Sequence, residues 1–366
     1  MSTTRKTRRT KTGAARTRRA PCDAPYDPVT TFDAMTAKSR PTFNARTPAQ
    51  ARSWQTRTRK ALAEYLGFLD TPRVDPDPRI LAGPVDRGSY VRYKIALRTM
   101  PHAHVPLYLL IPKRACRQPL PAILALHGHG YGVKDIVGLW EDGSERLQPD
   151  GYHGDFGCAL AEHGFVVAAP EIASFGERFH KYPNPEQFRM TPTCHGGGAY
   201  AIMMGGSLAG MRVLENQRIL DYLATRREVN MDRIGAMGIS GGGMNTFFTT
   251  AIDTRIKACV ISGYFCEWRK SILDIFHCTC NYVPGLYKLG ELSDLSALIA
   301  PRPCLVEHGM KDDIFPFPEV QRTVDKARRA WVTLGARENL QTDFFPGRHR
   351  INGEVAYRFL SEHLSQ

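Results

Sequence analysis

Apolar and polar residues follow two different patterns along this chain, and the change between them divides it. Residues 90–97, Tyr-Val-Arg-Tyr-Lys-Ile-Ala-Leu, alternate with the two-residue period of a half-buried strand. Residues 105–111 read as its neighbour, closed by Pro112. From residue 120 short apolar runs replace the alternation. Those at 121–126, 164–170, 233–239 and 256–262 are too apolar for a strand with one wet face and too short for a helix. They fit strands covered on both faces. Residues 303–308 and 340–345 follow as further strands. Between them lie helical stretches at 152–163, 207–225, 318–334 and 353–364, and the second spreads Leu208, Met211, Leu214, Ile219 and Leu223 over an apolar face. Antiparallel strands followed by repeated strand–helix units predict an α/β fold, a mostly parallel central sheet with helices on both faces. Two connections, 171–206 and 263–300, are longer than such units need. Both leave strand carboxyl ends, where open α/β sheets bind ligands, so they are expected to form a partial lid.

The chain ahead of residue 90 is patterned differently. Residues 48–66 predict one helix with Trp54, Leu62, Tyr65 and Leu66 as inward positions and Gly67 as its stop. Residues 21–46 are proline-rich and read as irregular, and 70–88, rich in Pro, Asp and Gly, read as loop. Three regions are expected: a disordered basic tail at 1–24, a helix-and-loop extension at 25–89, and the main domain at 90–366. Charge sharpens the first of these. The chain carries a net charge of +13, yet eight of its basic residues and none of its acids fall in the first twenty positions. The basic signal therefore belongs mainly to a tail without apolar residues to bury, and no specific nucleic-acid partner is expected. An Arg-rich, acid-poor start also fits an organelle transit segment. No apolar run approaches the length of a membrane span.

Nine cysteines at irregular spacing suit free thiols in a reducing compartment, so a cytoplasmic location is expected. Cys194-His195 and His277-Cys278-Thr279-Cys280 contain metal-ligand residue types, but no second Cys-x-x-Cys or His-x-x-x-His pair completes a site. The sequence reading is that these cysteines fill space as small apolar groups, with no metal or other cofactor.

The chemistry concentrates at residues 234–243, Ile-Gly-Ala-Met-Gly-Ile-Ser-Gly-Gly-Gly. Ser240 is central in a Gly-x-Ser-x-Gly, with a predicted strand before it and a helix-capable stretch, 244–250, after it. A serine on so sharp a turn projects its hydroxyl above the sheet, and small flanking residues prevent collision with the neighbouring strand and helix. This is the nucleophile elbow of α/β-hydrolases. Serine needs a base, and the base an orienting acid; in this fold both lie downstream, acid first. Only two histidines follow the acid candidates. His363 sits inside the last helix, whereas His349 follows the last strand and is the expected base. Asp312 and Asp313, after the 303–308 strand, compete as the acid on local sequence. The loop Leu126-His127-Gly128-His129-Gly130 leaves an apolar strand end. It is expected to supply an oxyanion donor from the His129 backbone, beside the N–H of Gly241. Glu171, Glu177, Arg178 and Arg212 fall near the same sheet edge, where an arginine could bind a carboxylate or sugar hydroxyls, though structural ion pairs are favoured.

These motifs together resemble a known group. The His-Gly-His-Gly strand end, the elbow, the stretch APRPCLVEHGMKDDIFP and the stretch FPGRHRINGE occur in the order found in acetyl xylan esterase-like and dienelactone hydrolase-like enzymes of the α/β-hydrolase superfamily. The resemblance covers roughly residues 90–366. It implies that the first aspartate of His-Gly-x-x-Asp-x-x-x-Pro, Asp312, is the acid; Asp313 stands where many relatives carry proline. Serine in place of the cysteine of dienelactone hydrolases proper implies an ordinary carboxylic ester as substrate. The expected activity is a Ser-His-Asp carboxylesterase acting on acetylated carbohydrates or other small esters. Its rivals are a peptidase of the prolyl-oligopeptidase type, for whose propeller the roughly 90 residues ahead of the first clear strand are too few, and a non-catalytic binding protein, which requires a broken triad.

Overall fold

The computed structural model describes residues 28–36, 43–180 and 194–365. The expected basic tail, 1–24, lies outside them. The chain divides into two units at residue 40. The first contributes one described element, helix α1 (Pro28–Thr36), where irregular chain was expected. In the second, residues 41–366, nine strands form one sheet in the order β1-β2-β3-β5-β4-β6-β7-β8-β9. Strands β1 (Arg79–Asp86), β2 (Tyr90–Met100) and β3 (Ala103–Pro112) run antiparallel, and β3 also meets β5 (Val166–Pro170) antiparallel. From β5 onward, through β4 (Leu120–Leu126), β6 (Val229–Ile239), β7 (Ile256–Ser262), β8 (Cys304–Gly309) and β9 (Leu340–Phe345), every pairing is parallel. The α/β architecture expected from the sequence is therefore present.

The apolar runs are strands because both their faces are dry. In β4, Ala122, Leu124 and Leu126 join one core cluster and Ile123 and Ala125 the other. In β6, Ile234 and Ala236 face the first cluster and Met237 and Ile239 the second. The first face packs against α2 (Pro48–Leu66), α5 (Leu208–Leu223), α6 (Gly241–Ile252) and α8 (Phe317–Thr333). The second packs against α3 (Phe156–Glu162) and α9 (Glu354–Leu364). Truncating a side chain as buried as Leu124 to alanine would cost about 2–5 kcal/mol.

Helix α2 belongs to this unit. Thr47 caps its N-terminus, and Gln55 donates to the carbonyls of Ala297 and Ala300 at 2.6 Å each. Two further expectations are corrected. Residues 79–86, read as loop, form edge strand β1, whose side chains are all exposed. Gly83 and Pro84 sit within its second register shift, between Ala82 and Val85, where an edge strand tolerates them. The helix expected from residue 152 begins only at Phe156, because Gly151, Gly154 and Asp155 take positive φ and turn the chain. Within 171–206 and 263–300 the chain forms α4 (Cys194–Met203), the short α7 (Leu292–Leu295) and several single turns of 3₁₀ helix. Among the described residues no helix is long and apolar enough to cross a membrane.

The strand order reverses direction at β4, with β5 on one side and β6 on the other. Such a switch point opens a crevice beyond the carboxyl ends of the strands. The loops that leave β4, β6, β8 and β9 all meet there.

Candidate active site

Ser240 joins β6 to α6 with φ 57° and ψ −121°, a strained conformation for a residue bearing Cβ. The flanking glycines make the turn sterically possible. A Cβ on Gly242 would stand 1.9 Å from the Leu126 carbonyl oxygen, and one on Gly238 would stand 2.5 Å from the Gly242 oxygen. The Ser240 backbone N–H donates to Ser262 O at 3.0 Å, fixing the turn to β7.

The acid and base loops are stitched together by backbone bonds from Met310 N to Phe345 O (2.9 Å) and from Lys311 N to Gly347 O (2.8 Å). His349 Nδ1 lies 2.7 Å from Asp312 Oδ2, and Asp312 Oδ1 accepts from the N–H groups of Ile314 (2.8 Å) and Phe315 (3.1 Å). Burial alone would raise the Asp312 pKa. The His349 hydrogen bond and charge, with the two backbone donors, hold it below the usual carboxylate value. Asp313 projects into solvent and pairs with Arg348 at 3.2 Å; both side chains are about four-fifths exposed. Of the two aspartates, Asp312 meets the histidine.

The far nitrogen of His349, Nε2, is buried without a hydrogen-bond partner among the described residues. His349 lines a pocket of about 320 Å³ together with Ser240, Gly241, His129 and Tyr152. Ser240 and His349 thus line the same pocket without a direct hydrogen bond between them. His363 lies in α9, outside this lining.

The loop after β4 is held by a network that pattern reading missed. Gly128 N–H donates to His153 Nε2 at 2.8 Å, and His153 Nδ1 lies 2.9 Å from Asp135 Oδ2. Arg146 pairs with Asp155 and reaches Asp135 at 3.6 Å. Tyr152 O–H donates to the His129 carbonyl. The His127 side chain is structural: its Nδ1 lies 2.8 Å from Gly128 O and its Nε2 accepts from Ile172 N–H at 3.1 Å. The backbone N–H groups of His129 and Gly241 have no partner among the described residues. The His129 imidazole turns away from this loop toward Cys280, its Nε2 3.7 Å from Sγ.

Other residues of the site gave no sequence signal. Phe315 stacks on His349 with centroids 6.0 Å apart and planes at 17°. Gly263, at φ 53°, leaves room for the same ring, since a Cβ there would stand 2.9 Å from His349 Cε1. Glu307 is buried at the end of β8; it accepts from Ser262 O–H at 2.8 Å and from Gly353 N–H at 2.7 Å, tying down both segments beside His349. Burial raises its pKa. Ile275, Phe276, His277, Cys278 and Asn281, all from the 263–300 connection, wall one side of the pocket.

Arg178 pairs with Glu215, and Lys94 with Glu177, so these charges are structural. Glu171 accepts from Val133 N–H at 2.9 Å. Arg212 is buried and donates to Ala173 O at 2.8 Å. The cysteines read as apolar filler are arranged otherwise. Cys194, Cys278 and Cys280 converge with His129, their donor atoms all within 4.8 Å of one another. His195 and His277 are not among them; they lie 3.2 Å from Thr279 Oγ1 and Ser271 Oγ respectively.

A family model described as the abhydrolase family matches residues 29–346. YtaP of Bacillus subtilis (strain 168), named as a candidate hydrolase, is 31% identical over 245 residues, covering 65% of this chain and 75% of that protein. The esterase YjfP of Escherichia coli (strain K12) is 24% identical over 280 residues, covering 72% and 96%. Among solved structures, a candidate acetyl xylan esterase from Bacteroides fragilis NCTC 9343 superposes with a TM-score of 0.72 over 87% of this chain and 82% of that one, at 20% identity.

Proposed function

The chain belongs to the abhydrolase family, and from that premise we propose that this hydrolase cleaves carboxylic esters through Ser240, His349 and Asp312. Ser240 Oγ attacks the ester carbonyl while His349 Nε2 takes its proton. The tetrahedral intermediate collapses as His349 returns that proton to the leaving alcohol. Water, activated by His349 in turn, then hydrolyses the acyl-enzyme. Asp312 holds the imidazole with Nδ1 protonated and Nε2 free to accept, and its charge stabilises the imidazolium. The backbone N–H groups of Gly241 and His129 receive the oxyanion, each worth about 3–4 kcal/mol in the transition state.

The observation that carries this reading is the state of His349. One nitrogen is bound to a buried carboxylate, the other has no partner among the described residues, and the ring borders the pocket that Ser240 lines. His308 and His363 also leave one ring nitrogen unpaired among the described residues, so what distinguishes His349 is the combination of the buried carboxylate with the pocket it shares with Ser240. Small acyl groups, with acetylated carbohydrates first, are the proposed substrates. A pocket of about 320 Å³ supports this, as does its rim residue Phe276, whose exposed ring can cover the apolar face of a sugar. The names of YjfP and of the Bacteroides structure point the same way. The eight described cysteines, all unpaired, support a reducing, cytoplasmic setting.

A fluorophosphonate probe should label the wild type and fail on Ser240→Ala. Turnover of p-nitrophenyl esters should fall with acyl length, and acetylated sugars should release acetate. Absence of labelling on the folded wild type would sink the proposal.

A further inference from the structure

The catalytic reading leaves four donor side chains beside the pocket without a task. They come from distant parts of the chain: His129 from the loop after β4, Cys194 from the start of α4, and Cys278 and Cys280 from the 263–300 connection. A tetrahedral zinc site with bonds of about 2.3 Å to sulfur places its ligand atoms about 3.8 Å apart. No pair here exceeds 4.8 Å, so closing around an ion needs movement of about 1 Å.

A second observation points to the charge state of these sulfurs. Arg212 is buried, its Nε has no hydrogen-bond partner among the described residues, and its Nη2 donates to Ala173 O at 2.8 Å and toward Cys194 Sγ at 3.3 Å. Among the described residues no carboxylate pairs with it, and the side-chain atom it reaches is Cys194 Sγ. A buried guanidinium without a counter-charge is strongly unfavourable. Neutral thiols would leave it so. Three thiolates around a divalent ion carry one net negative charge, which Arg212 balances. A disulfide between two of the cysteines would leave a single thiol and no four-donor set for an ion.

We propose that His129 Nε2 and the thiolates of Cys194, Cys278 and Cys280 bind one zinc ion, with Arg212 as the neutralising neighbour. Sulfur-rich tetrahedral donors select zinc over magnesium or calcium, and binding releases three thiol protons to solvent. The ion has no open coordination position and takes no part in ester chemistry; it staples the two long connections to the loop after β4. With Nε2 on the metal, the His129 proton sits on Nδ1, and ring and backbone are fixed together. On the esterase reading, the same staple holds the His129 N–H where the oxyanion forms.

The test uses the full chain purified under reducing conditions without added chelator. Elemental analysis should find one zinc per chain. After removal by chelation, Co²⁺ should give the sulfur-to-cobalt charge-transfer band and the intense visible bands of tetrahedral coordination. Cys278→Ser, at a partly exposed position, should abolish both signals while the circular dichroism of the fold persists. Arg212→Met should keep the packing volume but weaken zinc retention by about 10–100-fold. A folded, reduced wild type that holds no zinc and gives no such cobalt spectrum overturns the proposal. So does a disulfide linking Cys194 to Cys278 or Cys280 in freshly purified protein. These readouts do not involve ester cleavage, so loss of fluorophosphonate labelling and loss of the metal are separable outcomes.

Discussion

Gly263 offers a way to move the proposed base without replacing any of its hydrogen-bonding atoms. A methyl group there would stand 2.9 Å from His349 Cε1 and 3.1 Å from Nδ1. Ordinary carbon contacts lie at about 3.5–4.0 Å, so the ring must retreat by about 0.6–1 Å. The ring is also stacked on Phe315, and its Nδ1 is held at 2.7 Å by Asp312, so the movement cannot be absorbed freely. A misplacement of about 1 Å costs on the order of 10²-fold in rate. Gly263→Ala should therefore lower kcat for p-nitrophenyl acetate by about 10²-fold with KM nearly unchanged. The substitution also puts alanine at φ 53°, which costs about 1–2 kcal/mol of stability. Gly335→Ala separates the two effects. Gly335 has φ 74° and no atom within 4 Å of the added methyl group. It should lose the same 1–2 kcal/mol, about 2–3 °C in Tm, and keep full activity. Wild-type kcat in folded Gly263→Ala, or an equal loss in Gly335→Ala, would refute the reasoning.

Asp312→Asn should lower kcat by about 10⁴-fold, whereas Asp313→Asn, at an exposed position, should change it by less than about twofold; steady-state kinetics on both variants decides. Ser240→Gly removes the strain of φ 57° and should raise stability by up to about 1 kcal/mol in urea unfolding while abolishing fluorophosphonate labelling. The depressed pKa of folded Asp312 means that its stabilising contribution is fully present above the unfolded value of about 3.9 and is lost as pH falls through the folded value. The stability gap between wild type and Asp312→Asn should therefore shrink below about pH 4, and a gap independent of pH would contradict the His349–Asp312 pairing.

The residues legible in the sequence share one physical property: they sit at the ends of apolar strands. A buried parallel strand announces itself by composition, and the fold sends catalytic groups to the carboxyl ends of such strands. The motif at Ser240, the chain order of Asp312 and His349, and the strand end before the His129 loop are thus readable in the sequence. What composition could not settle was which of two adjacent aspartates turns inward. The structure answers with the Ile314 and Phe315 amides, which hold Asp312 Oδ1 and aim Oδ2 at His349. Edge strand β1 was invisible for the opposite reason. It buries nothing, so it carries no apolar signal.

The groups that pattern reading missed are those whose role depends on contacts between segments distant in sequence. His153 matters because its Nε2 accepts from Gly128, 25 residues away, and Glu307 because it reaches Gly353, 46 residues away. The same holds for His129 and Cys280, which are 151 residues apart. Local spacing rules for metal sites recognise two ligands on one hairpin or helix turn. Here only Cys278 and Cys280 are local, and the sheet supplies the rest by bringing three loops to one edge. The long connections look like unconstrained insertions in the sequence. In space, Cys194 from one and Cys278 and Cys280 from the other meet a histidine that borders the nucleophile turn. Loops held only by backbone turns would leave the pocket wall free to vary. Loops joined at that point would make the pocket's shape, and with it the choice of ester, depend on the four donors as much as on the residues that touch substrate.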